Sequence, residues 1–289
     1  MSRSFKPASG VNASWPTCSL QCRAGFALIE ILVALVIGLV VVGAVLATYV
    51  SVGQTGRLQA ALAQMDEDAQ MGLQILSRDL LMAGYASPVG MDAASRVFTR
   101  TFNGRAVLGC DKGFTAAPAS TPSVCAGSGG TPSIEIAFEA DLYNSVLSAG
   151  KPSDCLGNAL QDSQQGITFN RYGVGSGTSG RSELRCTSGS STAPLVDNVE
   201  RLQFWFGEAG SADPRQVLRY VGATKVQDFS RVVSVRVCLL ARSEEAVIGS
   251  EDAVLRTYVD CDGVTQTSTD GRLRRAYFST TALRNRMPF

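Results

Sequence analysis

Glu30 is the only charged side chain between Arg23 and Arg57. A carboxylate inside so long an apolar run is costly unless a positive charge meets it. Its chemistry is therefore electrostatic pairing rather than catalysis. Histidine is absent from all 289 residues. That excludes Ser-His-Asp and Cys-His catalysis, His-ligated zinc and imidazole proton relays. Eight cysteines occur, with Cys18 and Cys22 close to the N-terminus. The other six are Cys110, Cys125, Cys155, Cys186, Cys238 and Cys261, an even and well-spread set that reads as disulfides. Six cysteines allow about fifteen pairings. Pairing in sequence order (Cys110–Cys125, Cys155–Cys186 and Cys238–Cys261) is the expectation. A metal site is the alternative, disfavoured because these six contain no CxxC pair.

Three further groups could do chemistry. Arg272, Arg274, Arg275, Arg284 and Arg286 form a basic cluster near the C-terminus, where salt-dependent phosphate binding competes with a solvated edge strand and partner-contact rim. The rim is preferred, so nucleic acid is not an expected partner. Asp260, Asp262 and Asp270 raise calcium, but without EF-hand spacing they read as ordinary loop acids. The glycine-rich tract from Gly173 to Gly180 does not match a phosphate-binding fingerprint, and neither a P-loop nor a nucleophile elbow occurs. The expectation is a protein that is not an enzyme, with no cofactor and no metal.

From Ile31 to Val50 the chain is uncharged and apolar. About twenty helical residues span ~30 Å, one hydrocarbon core. Arg3, Lys6 and Arg23 precede the span without an acid, which places that side in the cytoplasm. The run is too long for a secretory signal, and no small-x-small site follows it. Gly38 and Gly43 lower its helix stability by about 1 kcal/mol each. Beyond the span, Leu58, Leu62, Met65, Ala69, Leu73, Leu76 and Leu80 recur with helical period. One helix is thus expected from residue 26 to about 83, closed by Gly84. Its amphipathic half has two candidate partners, the chain's own sheet and the helices of other subunits, with sheet packing favoured toward the C-terminal end.

Residues 85–132, rich in Gly, Ala, Ser and Pro, are expected to form an irregular connection pinned by Cys110 and Cys125. Ser133 to Phe138 alternates as a strand, Ile167 to Tyr172 is another, and Leu184 to Cys186 is a short one within a hairpin tip. Val199 to Phe206 and Val232 to Leu240 are the strongest strands and the expected sheet centre. Arg275 to Leu283 is the last. The fold class is α+β: a long N-terminal helix, transmembrane then amphipathic, on an antiparallel sheet. The expected domains are 1–25, a leader; 26–50, the membrane helix; 51–84, its amphipathic continuation; and 85–289, a disulfide-stabilised β-rich head. The formal net charge is +1, unlike a strongly basic nucleic-acid binder.

Gly25-Phe26 followed by Glu30 and an apolar span resembles the processing site of type IV pilins and type II secretion pseudopilins. Ala27 stands where that pattern often has threonine. The resemblance implies a prepilin peptidase that cuts after Gly25, N-methylation of Phe26, and a Glu30 that meets the free α-amine of a neighbouring subunit. Three later blocks, Leu76 to Tyr85, Leu195 to Phe204, and Asp270 to Arg275 with Leu283-Arg284-Asn285, resemble the PilW family of minor type IV pilins. The chain is identified as a member on those residues, with the type IV pilin-like fold this implies. Membership implies a single pass in the inner membrane, a periplasmic head, and a place in the pilus at its tip. The implied partners are other minor pilins, the major pilin and a large tip adhesin. The implied role is to prime a pilus serving twitching motility, adhesion or DNA uptake. A J-like minor pseudopilin of type II secretion is the alternative, and six cysteines beyond the leader favour the pilus. A membrane-anchored periplasmic binding domain is the second alternative.

Overall fold

The computed structural model describes residues 27–94, 98–100, 102, 104–115, 123–160, 166–177, 180–249 and 251–286. Helix α1 runs over Leu28–Met82. The strands are β1 (Pro88–Met91), β2 (Phe98–Arg100), β3 (Val107–Cys110), β4 (Ser133–Glu139), β5 (Leu147–Ser148), β6 (Lys151–Pro152), β7 (Ile167–Ser176), β8 (Ser182–Ser188) and β9 (Ser191–Asp197). Then come β10 (Val199–Ala209), β11 (Val217–Val221), β12 (Val232–Arg242), a short helix α2 (Ala253–Arg256), β13 (Thr257–Val259), β14 (Thr265–Thr267) and β15 (Arg274–Ala282). The chain divides into two compact units, residues 1–53 and 54–289.

The second unit holds two main sheets rather than the single sheet expected. One is five-stranded, in the order β3-β4-β7-β8-β9; the other is four-stranded, β11-β10-β12-β15. Every pair in them is antiparallel. Three small hairpins, β1-β2, β5-β6 and β13-β14, are appended. The sheets divide at Asn198, between β9 and β10, whose φ of 61° is left-handed. Asparagine tolerates that region better than most residues. The chain leaves one sheet there and enters the other.

The alternating faces explain the strongest strands. Leu202, Phe204 and Phe206 of β10, and Val235, Val237 and Leu239 of β12, point into one core. Successive strand side chains point to opposite faces, so this period of two defines an inner face. Onto it packs α1 through Met65, Ala69, Gly72, Leu76 and Leu80. Leu73, expected in that stripe, is only half-buried, and Gly72 takes the place nearest the strands. A Cβ on Gly72 would lie 2.8 Å from Leu239 Cδ1 and 3.4 Å from Leu184 Cδ2. The bare glycine therefore lets the helix approach both sheets at once.

Helix α1 ends as its last residues require. Gly84 adopts φ 73°, the left-handed turn that commonly closes a helix. Asn285 Nδ2 then donates back to the carbonyls of Leu81 and Met82, at 3.1 and 3.3 Å, and the Tyr85 N–H donates to the latter as well. The connection after Gly84 is more ordered than composition implied. It contains β1 and β2, and β3 joins the five-stranded sheet against β4. Strand β9 is also new, and its Pro194 lies on the sheet edge. An edge strand tolerates a proline that a central strand would not.

Candidate functional site

The described residues of the first unit are uncovered. Every residue from Ala27 to Arg57 is exposed. Leu28, Ile31, Val36, Val40 and Leu46 are each more than half exposed. A large aliphatic side chain left in water forgoes about 1.5–3 kcal/mol of burial. A run of twenty such residues demands lipid or another apolar surface. The helix is long and apolar enough to cross a membrane.

Glu30 sits in the first turn, where its backbone N–H donates to Ala27 O at 2.9 Å. The positive end of the helix dipole favours a carboxylate there. The next cation along the chain, Arg57, is roughly 27 residues on, or ~40 Å at the helical rise. It cannot neutralise Glu30, so a compensating charge must come from near the helix start or from another molecule. Gly25 and Phe26 lie outside the described residues.

In the second unit three disulfides pin the loops to the sheets. Cys110–Cys125, Cys155–Cys186 and Cys238–Cys261 have Cα separations of 5.3, 6.5 and 5.8 Å. The first closes a loop over a buried ion pair. Arg171 Nη2 donates to Glu135 Oε2 at 2.8 Å and to Ser123 Oγ at 3.0 Å, and its guanidinium lies 3.9 Å from the Phe114 ring centre. The second lies beside a polar network under α1. Asp79 Oδ2 accepts from Asn170 Nδ2 at 2.7 Å and from Tyr172 Oη at 2.5 Å. Burial pushes the Asp79 carboxyl above its ordinary range, against the two hydrogen bonds. Burial also raises the Tyr172 phenol, with help from the Asp79 charge. This network is absent from the sequence reading, because its members sit on α1 and β7, far apart in the chain.

The C-terminal arginines are largely neutralised. Arg274 donates to Glu200 Oε2 at 2.7 Å and to Asp270 Oδ1 at 2.7 Å. The Arg274 hydrogen bonds hold Asp270 below the usual carboxylate range. Arg275 pairs with Asp66 at 3.3 Å, and Tyr277 donates to the same carboxylate. Arg272 donates to the backbone carbonyls of Ser243 and Glu244. Asp260 closes its own turn, accepting from the backbone N–H groups of Asp262 and Val264, both at 3.0 Å. Asp262 pairs with Arg201 at 2.7 Å. Among the described residues no cluster of three acidic or thiol groups is placed to hold a metal.

Residues 20–46 match the prokaryotic N-terminal methylation motif, and residues 171–285 match the family Type IV Pilus-assembly protein W. The C-terminal part of the chain is therefore similar to the PilW family, and its N-terminal part carries the methylation motif. The PilW match begins within β7 and runs through β15, and so takes in the whole four-stranded sheet and Asn285. A type IV-like pilin from Thermus thermophilus is similar in structure, with 16% identity and a TM-score of 0.35 over 78% of this chain and 98% of that one. No curated protein matches the chain. The chain thus joins a prepilin-like N-terminal motif and a helix long and apolar enough to cross a membrane to a PilW-like C-terminal part.

Proposed function

We propose that this chain is a minor pilin that primes pilus assembly from the inner membrane, in a complex with other minor pilins at the pilus tip. In this reading residues 1–25 are a leader removed by prepilin peptidase after Gly25. Phe26 becomes the methylated N-terminus, and residues 26–50 anchor the chain and later enter the filament core. The amphipathic stretch 51–84 leads into a periplasmic head, 85–289. The observation that carries the proposal is Glu30, the one acid in an apolar run exposed from Ala27 to Arg57, with no cation paired to it among the described residues. A neighbouring subunit's new α-amine would neutralise it and set the axial register between the two. Three disulfides fit a head in an oxidising compartment. The pilus so primed would serve motility, adhesion or DNA uptake, with a major pilin below and a large adhesin above.

The test is mass spectrometry of this chain's N-terminus in sheared surface filaments, for the parent and for Glu30→Ala. The expected result is an N-methylated Phe26 in the parent filaments. The variant should insert in the membrane normally but enter filaments at least about tenfold less, the effect of losing a buried charge partner. Normal entry of the variant would remove Glu30 from assembly. An unprocessed chain confined to the inner membrane would overturn the reading. Intact pili with lost exoprotein secretion would transfer the role to a pseudopilus.

A further inference from the structure

The outer face of the four-stranded sheet, opposite the core, is half covered and half open. At one end Cys238–Cys261 ties β12 to the loop between β13 and β14. Cys238, Leu240 and Cys261 form a small second core there, with Tyr258 and Ala276 packed on it. The cover stops at Trp205. Beyond it the strand register sets Trp205 beside Arg236, and Arg236 beside Thr280. Phe278 stands opposite Cys238 in the next row. One row the other way Tyr220 lies against Gly207, and its hydroxyl is 3.1 Å from Ser234 Oγ.

Arg236 is the centre of this open half. Its guanidinium carbon is 5.7 Å from the Trp205 ring centre and 5.0 Å from that of Phe278. The two rings are themselves 6.4 Å apart and 28° from parallel. The side chain is exposed, and among the described residues it has neither an acidic nor a hydrogen-bonding partner. The arginines Arg201 and Arg274 differ: Arg201 is paired with Asp262 and Arg274 with Glu200 and Asp270. An arginine steadied on two aromatic faces has lost much of its freedom already, while its planar fork of N–H donors stays free.

We propose that this open half-face is a docking surface for another protein subunit, which presents a carboxylate to Arg236. Charge complementarity selects the carboxylate, because the guanidinium fork matches its two oxygens. The side chains select a protein: Trp, Tyr and Arg are those that dominate binding energy at protein interfaces. The surface is an open sheet face, whereas small-molecule sites are concave. A single unpaired cation among neutralised arginines is too little for a phosphate backbone. The surface rests on the minor-pilin reading only for where its partner is sought, among the subunits of the pilus.

The test places a photo-crosslinking benzoylphenylalanine at Thr280 of the full-length chain, in cells that make the pilus. Cross-linked products are taken from inner membranes and sheared filaments and identified by mass spectrometry. The expected result is a cross-link to one defined pilus subunit, falling at least about tenfold in Arg236→Glu and in Arg236→Met. Arg236→Met retains an apolar stem for the rings, and its melting temperature checks that the fold is kept. Replacing the acid of the cross-linked partner segment by lysine should restore the yield for Arg236→Glu. Cross-linking to polysaccharide or to no defined protein would overturn the proposal, as would a yield indifferent to both variants. N-methylated Phe26 is read in the same samples. A processed chain in filaments without the cross-link sinks the surface and spares the minor-pilin reading. An unprocessed chain sinks that reading, and the cross-link then judges the surface alone.

Discussion

Asp79 shows how one residue can make the head sensitive to pH. Its carboxyl is raised by burial, so the folded chain holds that proton more tightly than the unfolded chain, whose value is near 3.8. The resulting stabilisation is complete below the unfolded value and is lost as pH rises through the folded one. Asp79→Asn keeps an oxygen for Tyr172 and Asn170 and removes the buried charge. The variant should therefore melt higher than the parent at about pH 8, with the gap closing toward about pH 4. Circular dichroism melts at the two pH values decide it; a variant less stable at the higher pH would contradict the sign. Asp270 has the opposite sense, since Arg274 lowers it; its contribution is lost only as pH falls through that depressed value.

The elements carry a second set of consequences. Gly72 sits within α1 at a cost of about 1 kcal/mol against alanine, and close approach to Leu239 and Leu184 accounts for its use. Gly72→Val should overpack that contact and lower stability by about 2 kcal/mol in urea denaturation. Unchanged stability would mean that the helix can lift off the sheets. At the end of α1, Asn285→Ala would leave the carbonyls of Leu81 and Met82 without their side-chain donor, at a cost of about 1 kcal/mol. Replacing Cys155 and Cys186 together by serine should cost about 3 kcal/mol, the range for a disulfide closing a loop of this order. That double variant, compared with the parent in non-reducing urea titrations, also tests how far the bond supports the polar network beside it.

For the whole molecule, the two units imply separable behaviour. Residues 54–289 contain the core, both sheets and all three disulfides. A chain starting at Gln54 should be soluble and melt cooperatively, and the full chain should require detergent or lipid. Aggregation of the shorter chain, or a melt without a cooperative step, would show that the uncovered helix is needed for the fold. Much of this organisation was legible along the sequence. The apolar run, the stripe from Met65 to Leu80, and strands β4, β10, β12 and β15 all follow from local periodicity. Strand β9 was not legible, because Ser, Thr, Ala and Pro carry little strand signal. Strand β3 was hidden by its four-residue length within a Gly/Ala/Ser/Pro-rich region.

What the sequence by itself determined is the apolar span, Glu30 as its one acid, the fold class and the family resemblance. Each depends on neighbours a few residues apart, whose spacing is fixed by the helical and strand repeats. What only the tertiary structure decided is which charges meet and which do not. The arginines at 272, 274 and 275 form a basic cluster in sequence, yet Asp66, Glu200, Asp270 and backbone carbonyls meet them. Arg236, unremarked in sequence between two apolar neighbours, is the one left open on the sheet face. That outcome depends on strand register and on the turn at Asn198, which bring together groups separated by tens or hundreds of residues.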